Sequence, residues 1–271
     1  SVANVNKLGL IAGNGVFPIE VAAAARRLGM RVVAIAHQNE SLPELEQHCD
    51  SLTWIKVGEL ERMIAILKDA GVKRAAMAGG ISRERLKDSF FPDQRTMKML
   101  ARVGRLSDDS VLRGIAEEIE SEGIEVIDPV PMLDGVLARD GLEAGPAPTS
   151  AQLKDLDLAF SVARLVGSYD IGQTVAVRDG VVAAVEGVEG TDAAVRRAAA
   201  LCGRGLVIAK ASKPAQDLRF DRPAIGPRTI ELLAEIGAAV IGVESHKTLL
   251  LERARTLEIA GARGVSVYGH G

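Results

Sequence analysis

The first half of the chain repeats one order of elements, in which a short apolar run precedes a stretch with helical spacing. The apolar runs cover residues 8–11, 31–36, 54–57, 75–78 and 124–127. Runs this short are typical of strands that a parallel sheet buries on both faces. The alternation therefore predicts βαβ units and an open, doubly wound α/β sheet.

Helix boundaries in this half follow from capping residues. Pro18 suits the first turn of a helix that ends near Gly29, and Gly71 follows a helix predicted over residues 60–70. A third helix is predicted to begin at Asp108 or Asp109 and to end at Gly123. Each predicted helix thus lies between two predicted strands, as a parallel sheet requires.

Prolines and glycines interrupt every regular pattern between residues 128 and 149. We therefore predict a first domain over residues 1–131, a linker over 132–149 and a second domain over 150–271. Residues 150–166 have helical spacing, and residues 173–185 form a predicted β-hairpin that turns at Asp179-Gly180. Further predicted elements are strands 206–209, 239–243 and 265–268 and helices 227–235 and 252–260. The second domain is thus predicted to be a separate α/β or α+β unit.

Composition excludes several classes of protein. The 33 basic and 36 acidic residues give a net charge of -3, and aromatic residues make up 3% of the chain. Neither a basic field nor a set of stacking platforms for nucleic acid is present, so we expect no nucleic-acid partner. Cys49 and Cys202 lack a CxxC spacing, which argues against a disulfide scaffold and favours a reducing, cytoplasmic setting. No apolar run approaches the ~20 residues that span a bilayer.

Two glycine turns follow predicted strands of the first domain. Gly13-Asn14-Gly15 follows the first strand and Gly79-Gly80 follows the fourth. Both should lie at the carboxyl edge of the sheet, where open α/β folds bind ligands, and backbone amides there can approach a phosphate. Pro18 stands where a dinucleotide fingerprint has its third glycine, and His37 where it has an acidic residue. Phosphate or nucleotide contact is thus favoured over NAD chemistry, with a simple chain turn as the alternative.

Metal-ligand and nucleophile signatures are sparse. Asp108-Asp109 could bind a metal, but the pair stands where a helix N-cap and a first-turn carboxylate are expected, and we favour that structural reading. The four histidines show no ligand spacing, which argues against a preformed zinc or iron site. The sequence also lacks the GxSxG signature of serine hydrolases.

Charged and polar residues concentrate between Gln173 and Asp221. Residues 186–192 bring glycines and the carboxylates Glu189 and Asp192 to the start of a predicted helix. Residues 210–221 leave an apolar strand and carry two lysines, one arginine and two aspartates around Pro214. Such a loop suits phosphate binding by cations beside oxygen ligands for Mg²⁺, or alternatively Mn²⁺. An ordinary solvated surface loop is the alternative.

These segments together resemble the UDP-2,3-diacylglucosamine pyrophosphatases of the LpxI type. The similar segments are residues 8–13, 170–173, 186–192, 213–217 and 219–221, with Glu244 and residues 247–251 near the end. The resemblance runs over almost the whole chain. It implies Mg²⁺-dependent hydrolysis of UDP-2,3-diacylglucosamine to UMP and 2,3-diacylglucosamine 1-phosphate (lipid X) in lipid A biosynthesis. It also implies attack on the phosphorus nearer the sugar, with substrate held between a Rossmann-like N-terminal domain and the C-terminal domain.

The residues and the resemblance together give a predicted site. Catalytic roles are assigned to Asp192, Asp217, Asp221, Lys213 and Arg219, and the first three of these are the predicted metal ligands. Substrate binding is assigned to Gly13, Asn14, Gly15, Gly79, Gly80, Gln173, Glu189, Thr191, Lys210 and Gln216. Lys210, Lys213 and Arg219 would neutralise the diphosphate, and Gln173 and Gln216 would orient it.

Two positions depart from the family pattern. Ala215 stands where we expect Asn, and Ala224 stands where a polar side chain such as Thr or Asp is expected. The Ala215 change is modest because Gln216 can supply a neighbouring amide. A methyl group at position 224 removes a potential ligand, so we hypothesise that this chain is an inactivated variant.

Three other functions remain open at this stage. A regulatory protein would bind a sugar nucleotide without cleaving it, and an NAD-dependent oxidoreductase would use the first sheet. A purely structural assembly protein would leave residues 210–221 unexplained. The expected partner is a lipid-linked sugar nucleotide, and transient contact with the inner membrane face and a homodimer are both compatible with the sequence. Phe90-Phe91 could line an acyl site or touch a membrane, although ordinary packing is favoured.

Overall fold

The computed structural model describes residues 6–82, 90–104, 107–214 and 216–271. Two compact units make up the chain. The first consists of Ser1–Asp134 together with Asp217–Asp221, and the second of Gly135–Gln216 together with Arg222–Gly271. A five-residue segment from the C-terminal half therefore belongs to the first unit.

A five-stranded parallel sheet forms the centre of the first unit. Its strands are β1 (Lys7–Ala12), β2 (Arg31–His37), β3 (Ser51–Ile55), β4 (Arg74–Ala78) and β5 (Glu125–Val126). The order is β3-β2-β1-β4-β5, and every neighbouring pair is parallel. This order reverses between β1 and β4, which is the switch point where doubly wound sheets bind ligands. The predicted α/β sheet is confirmed.

Four helices are described in the first unit. They are α1 (Phe17–Arg27), α2 (Leu60–Asp69), α3 (Gln94–Val103) and α4 (Asp108–Ser121), with 3-10 turns at Pro43–His48 and Val130–Met132. Ser107 is the N-cap of α4, because its hydroxyl accepts the Ser110 N–H at 3.4 Å. Asp109 instead lies in the first turn and pairs with Arg113 at 3.0 Å. This structural role agrees with the reading that we favoured for the acidic pair.

A six-stranded mixed sheet forms the second unit. Its order is β6 (Gly141–Ala144), β13 (Ser266–His270), β11 (Val240–Glu244), β9 (Val207–Lys210), β7 (Thr174–Arg178) and β8 (Val181–Val185). Strands β9, β11 and β13 are parallel, whereas β6, β7 and β8 pair antiparallel. A separate parallel pair joins β10 (Ala224–Ile225) and β12 (Leu249–Leu250). The predicted hairpin turns at Asp179 and Gly180, whose φ angles are 49° and 79°.

The helices of the second unit are α5 (Ser150–Ser168), α6 (Thr191–Cys202), α7 (Pro227–Glu235) and α8 (Arg253–Arg263). Both faces of the central strands are buried. Val207 and Ala209 pack with Leu156 and Phe160 of α5, whereas Ile208 packs in a second apolar cluster. Because side chains alternate along a strand, these two clusters lie on opposite faces of the sheet.

The structure differs from the predicted linker over residues 132–149. Residues from 135 onward belong to the second unit, and β6 lies within this segment and pairs with β13. The sequence did not predict this edge strand for two reasons. Four residues give too short an alternating pattern to detect, and the surrounding glycines and prolines suggested a loop.

Candidate active site

The two glycine turns of the first unit pack directly against each other at the switch point. The Gly13 N–H donates to the Ala78 carbonyl at 2.8 Å, and the Asn14 N–H donates to the Gly80 carbonyl at 2.7 Å. A Cβ atom at Gly13 would lie 2.3 Å from the Gly80 oxygen. The structure thus brings the predicted residues together at the predicted edge. The amides of Gly13 and Asn14 are engaged within the protein, however, so a ligand cannot use them as expected.

A buried polar cluster adjoins these turns and was missed by the sequence analysis. Glu40 is buried, and its Oε2 atom accepts the Asn14 side-chain amide at 3.2 Å and the Ser82 N–H at 3.1 Å. The Ala12 carbonyl is contacted by His37 Nδ1 and by the Ser41 hydroxyl, both at 2.8 Å. No short sequence motif predicts this cluster, because its residues come into contact only when β1 and β2 pair.

Burial lowers the pKa of His37, although the Ala12 carbonyl and the Glu40 charge act in the opposite direction. His37 is therefore neutral at neutral pH and acts as a hydrogen-bonding group. The hydrogen bond to Glu40 restrains the side chain of Asn14 and places a carboxylate next to the first glycine turn.

The carboxyl edge of the second sheet carries the predicted lysines. Lys210 ends β9, and its ammonium donates to the Ala224 carbonyl at 3.0 Å. Lys213 follows in the same loop, and its ammonium pairs with Asp170 at 2.6 Å. Both side chains are part-buried, so their charges are less screened than those of fully exposed lysines. The parallel strands β9 and β11 end here, which is where open α/β sheets bind ligands.

The two predicted glutamines also lie at this edge. Gln216 accepts the Lys213 N–H with its side-chain oxygen at 3.0 Å, which shapes the loop around Lys213. The Gln173 carbonyl accepts the Ala211 N–H at 2.9 Å. The Gln173 Oε1 atom is buried and has no hydrogen-bond partner among the residues that the structure describes. The structure thus brings Lys210, Lys213, Gln173 and Gln216 together in the second unit.

Residues at the start of α6 are held by internal contacts. The Thr191 hydroxyl donates to Glu186 at 3.0 Å, and Glu189 pairs with Arg197 at 2.6 Å. The Arg197 side chain and backbone amides, including that of Gly187, lower the pKa of Glu189. Asp192 is exposed in the first turn of the helix. Thr191 and Glu189 therefore act first as structural residues, whereas Asp192 stays accessible to solvent.

The predicted loop from Lys210 to Asp221 is divided between the units, because Asp217, Arg219 and Asp221 belong to the first. Arg219 is bound there by Asp217 at 2.9 Å and by Glu120 at 2.8 Å, and it donates to the Val126 carbonyl at 3.1 Å. The Arg219 hydrogen bonds lower the pKa of Asp217, which stays ionised. The guanidinium of Arg219, which we predicted to neutralise the diphosphate, is thus already paired with two carboxylates.

The predicted metal ligands do not form a ready-made site. Among residues 6–82, 90–104, 107–214 and 216–271, no group of three or more His, Cys, Asp or Glu side chains is placed to hold a metal ion. Both oxygens of Asp217 accept hydrogen bonds from Arg219. These donors do not fit a three-carboxylate magnesium centre, so we derive no chemical step through a metal.

The aromatic pair of the first unit is partly exposed. Phe90 and Phe91 are 40% and 50% exposed, and the Lys56 ammonium lies 4.2 Å from the centre of the Phe91 ring. Both rings are thus only partly packed, and the predicted acyl or membrane role stays a prediction. None of the described helices is both long and apolar enough to cross a membrane. Ala215 lies outside the described residues.

The fold and these contacts define a two-unit α/β protein with two part-buried lysines at the carboxyl edge of its second sheet. The chain belongs to the LpxI family: residues 7–136 match the LpxI N-terminal domain and residues 139–268 match the LpxI C-terminal domain. It is 33% identical, over 98% of both chains, to a protein of Caulobacter vibrioides named UDP-2,3-diacylglucosamine pyrophosphatase LpxI. Both comparisons confirm the resemblance read from the sequence.

Similarity to solved structures is weak. The biotin carboxylase subunit of pyruvate carboxylase is 18% identical with a TM-score of 0.28, and the match covers 75% of this chain and 44% of that chain. A phosphoribosylglycinamide synthetase from Anaerococcus prevotii is 11% identical with a TM-score of 0.27, at the same coverages. This chain thus spans less than half of either solved chain, and scores this low carry no argument about fold or function.

Proposed function

We propose that this protein hydrolyses the diphosphate of UDP-2,3-diacylglucosamine to UMP and 2,3-diacylglucosamine 1-phosphate in lipid A biosynthesis. The observation that carries the proposal is the pair of part-buried lysines at the carboxyl edge of the second sheet, in a chain that matches the LpxI family throughout. The similar Caulobacter protein is named for this substrate. A lipid-linked sugar nucleotide accounts for both the cationic edge and the family.

The residues of the second unit can perform specific parts of this hydrolysis. Lys210 and Lys213 would offset the negative charge that develops on the phosphoryl oxygens when water attacks. Asp170 and the Ala224 carbonyl hold the two ammonium groups in place before the substrate binds. Such preorganisation stabilises the transition state because no protein reorganisation is needed during the reaction. Gln173 offers an amide at the same edge for orienting the substrate.

A divalent cation is a further proposal. Its support is the charge of the diphosphate and the oxygen-rich ligand chemistry of the loop, which suit Mg²⁺ or Mn²⁺. The described carboxylates do not assemble three ligands, so binding of the ion would require substrate oxygens as additional ligands. This is the usual manner in which Mg²⁺ binds at phosphate sites.

The activity assay tests both proposals. Incubating the purified chain with UDP-2,3-diacylglucosamine is expected to release UMP in the presence of Mg²⁺ and to release none with EDTA. Chromatography of the nucleotide products measures the outcome. Hydrolysis that is unchanged in EDTA would refute the metal requirement alone. Tight substrate binding with no UMP in any condition, both in this chain and in its Ala224→Asp and Ala224→Thr variants, would favour the alternative of a regulatory protein.

Position 224 provides a test of whether the chain is fully active. The Ala224 carbonyl holds Lys210, so a polar side chain at this residue would lie next to a proposed catalytic cation. Ala224→Asp or Ala224→Thr is expected to raise kcat at least about tenfold, the effect of about 1.4 kcal/mol in the transition state. Steady-state kinetics with the same substrate measure the change. An unchanged kcat in both variants contradicts our hypothesis of an inactivating alanine.

We also propose transient contact with the inner membrane face, since the substrate is lipid-linked. Support comes from the exposed rings of Phe90 and Phe91, the second of which lies beside the Lys56 ammonium. Apolar and cationic groups together suit an anionic lipid surface. Co-sedimentation with vesicles measures this contact. A cytoplasmic location and a homodimer remain proposals as well, and light scattering measures the oligomeric state.

A further inference from the structure

A buried carboxylate at the carboxyl edge of the second sheet is not used in the proposed chemistry. Glu244 ends β11 and is only 6% exposed. Its Oε2 atom accepts the Ser212 N–H at 2.7 Å, which ties the end of β11 to the loop that leads to Lys213. Burial alone would raise the pKa of Glu244, but the Ser212 N–H and the charges of Lys247 and Arg164 outweigh it and lower the pKa. Glu244 is therefore ionised at neutral pH.

Two cations share this one carboxylate. The Arg164 guanidinium of α5 lies 3.5 Å from Glu244 Oε1, and the Lys247 ammonium lies 3.6 Å from the same atom. Both separations exceed the 2.7–2.9 Å of a strong charge-assisted hydrogen bond. The two side chains are 46% and 49% exposed. One negative charge thus faces two positive charges, and the group carries a surplus positive charge that is open to solvent.

The arginine is held from a second side. Its guanidinium lies 5.5 Å from the centre of the buried Phe160 ring, in a cation–π contact. Glu244 and Phe160 together restrict Arg164, so fewer rotamers are lost when it binds an anion. A restricted guanidinium also presents several N–H donors in a fixed geometry, which suits phosphate oxygens.

The Ser212 hydroxyl lies against the same carboxylate, in poor hydrogen-bond geometry. Ser212 is 9% exposed and lies beside the Glu244 carboxylate, yet its Oγ atom does not meet hydrogen-bond geometry with any described residue. A buried hydroxyl in poor hydrogen-bond geometry is available to donate to an oxyanion that binds beside it. The Gln173 Oε1 atom is buried without a described partner as well, and the backbone carbonyl of the same residue accepts the Ala211 N–H.

We propose that Arg164, Lys247 and the Ser212 hydroxyl form an oxyanion-binding subsite for a phosphate group, with Glu244 as the positioning residue that holds both cations. This subsite deepens the proposed function and rests on it, because a phosphate of the sugar nucleotide is the ligand expected there. The subsite would provide the second unit with cations for a phosphate. Arg219, which the sequence analysis assigned to that role, is instead bound by Asp217 and Glu120 in the first unit.

Binding of UDP to the full chain, measured by calorimetry, tests the subsite without requiring turnover. Arg164→Ala and Lys247→Ala are each expected to raise the Kd for UDP about tenfold, the effect of losing one charged hydrogen bond. Arg164→Lys is expected to recover part of the loss. Uridine, which has no phosphate, is the comparison probe, and its binding should be the same in all variants. Lys154→Ala on α5 and Arg196→Ala on α6 are matched controls, because both residues are exposed and lie outside the cluster.

Ser212→Ala separates binding from folding. The hydroxyl has only a poorly aligned contact with Glu244 to lose, so the thermal stability of the variant should stay close to that of the parent chain, while its Kd for UDP rises several-fold. Unchanged UDP affinity in Arg164→Ala and Lys247→Ala would overturn the proposal, and so would the absence of UDP binding to the parent chain. If UDP affinity falls as expected but no UMP is ever released from substrate, the subsite stands and the proposed hydrolysis fails.

Discussion

Gly13→Ala is expected to destabilise the first unit by about 2 kcal/mol or more, within the usual cost of overpacking. The added methyl group would lie 2.3 Å from the Gly80 oxygen and 2.7 Å from the Gly79 carbonyl carbon. Both atoms are backbone, so neither can move aside as a flexible side chain would. The two turns would have to separate, which would break the bonds from Gly13 to Ala78 and from Asn14 to Gly80. Chemical unfolding measures the loss, and substrate affinity should fall with it.

Gly15→Ala is the matched control, two residues along the same turn. Gly15 has a φ of 79°, but a Cβ atom there would meet no other atom within 4 Å. Only the backbone conformation is penalised, at a cost of about 1 kcal/mol. We therefore expect Gly13→Ala to lower the stability more than Gly15→Ala does. Equal stability losses in the two variants would show that close packing of the turns is unimportant.

Lys213→Ala is expected to lower kcat/KM at least about a hundredfold, as the loss of one preorganised donor to a developing oxyanion commonly does. Lys213 is held by Asp170 at 2.6 Å and its side chain is 19% exposed, so water replaces its charge poorly. Steady-state release of UMP measures the effect. Lys154→Ala removes an exposed lysine of the same unit and should leave kcat/KM unchanged.

Asp170→Asn tests whether Lys213 acts through its own charge or through its ion pair with Asp170. This variant keeps the Lys213 charge but removes the carboxylate that holds it. We expect a fall of about tenfold, smaller than that of Lys213→Ala, since the ammonium remains available. If Asp170→Asn were as damaging as Lys213→Ala, the lysine would matter for the ion pair and not for the diphosphate.

Local patterns explain why much of the fold was predictable. The first sheet follows from apolar runs that recur at the spacing of βαβ units, and the β7-β8 hairpin follows from Asp179-Gly180, whose positive φ angles suit a tight turn. The sequence also predicted that Lys210, Lys213 and Gln216 lie near one another, because all three are within a few residues of the carboxyl end of β9. Information of this kind is contained in a short window of sequence.

Long-range pairing explains what could not be predicted. Arg219 binds Glu120 across 99 residues of sequence, and Ser212 binds Glu244 across 32. Neither pair has a spacing that distinguishes it from other charged or polar residues. The same limitation hid Glu40, which acquires its partners only when the strands carrying Asn14 and His37 lie side by side. Charge in the sequence thus indicated a candidate functional loop without revealing which of its charges are already paired within the protein.

The placement of Asp217–Asp221 has a consequence for protein synthesis. Phe220 packs against the apolar cluster of the first unit, and Arg219 binds Glu120 and the Val126 carbonyl in that unit. A ribosome that has completed residue 134 has therefore not yet made all of the residues that this unit contains. The N-terminal half can finish folding only after residue 221 leaves the exit tunnel, when most of the second unit has been translated as well. A fragment that stops at the domain boundary should consequently be less stable than the same residues within the complete chain.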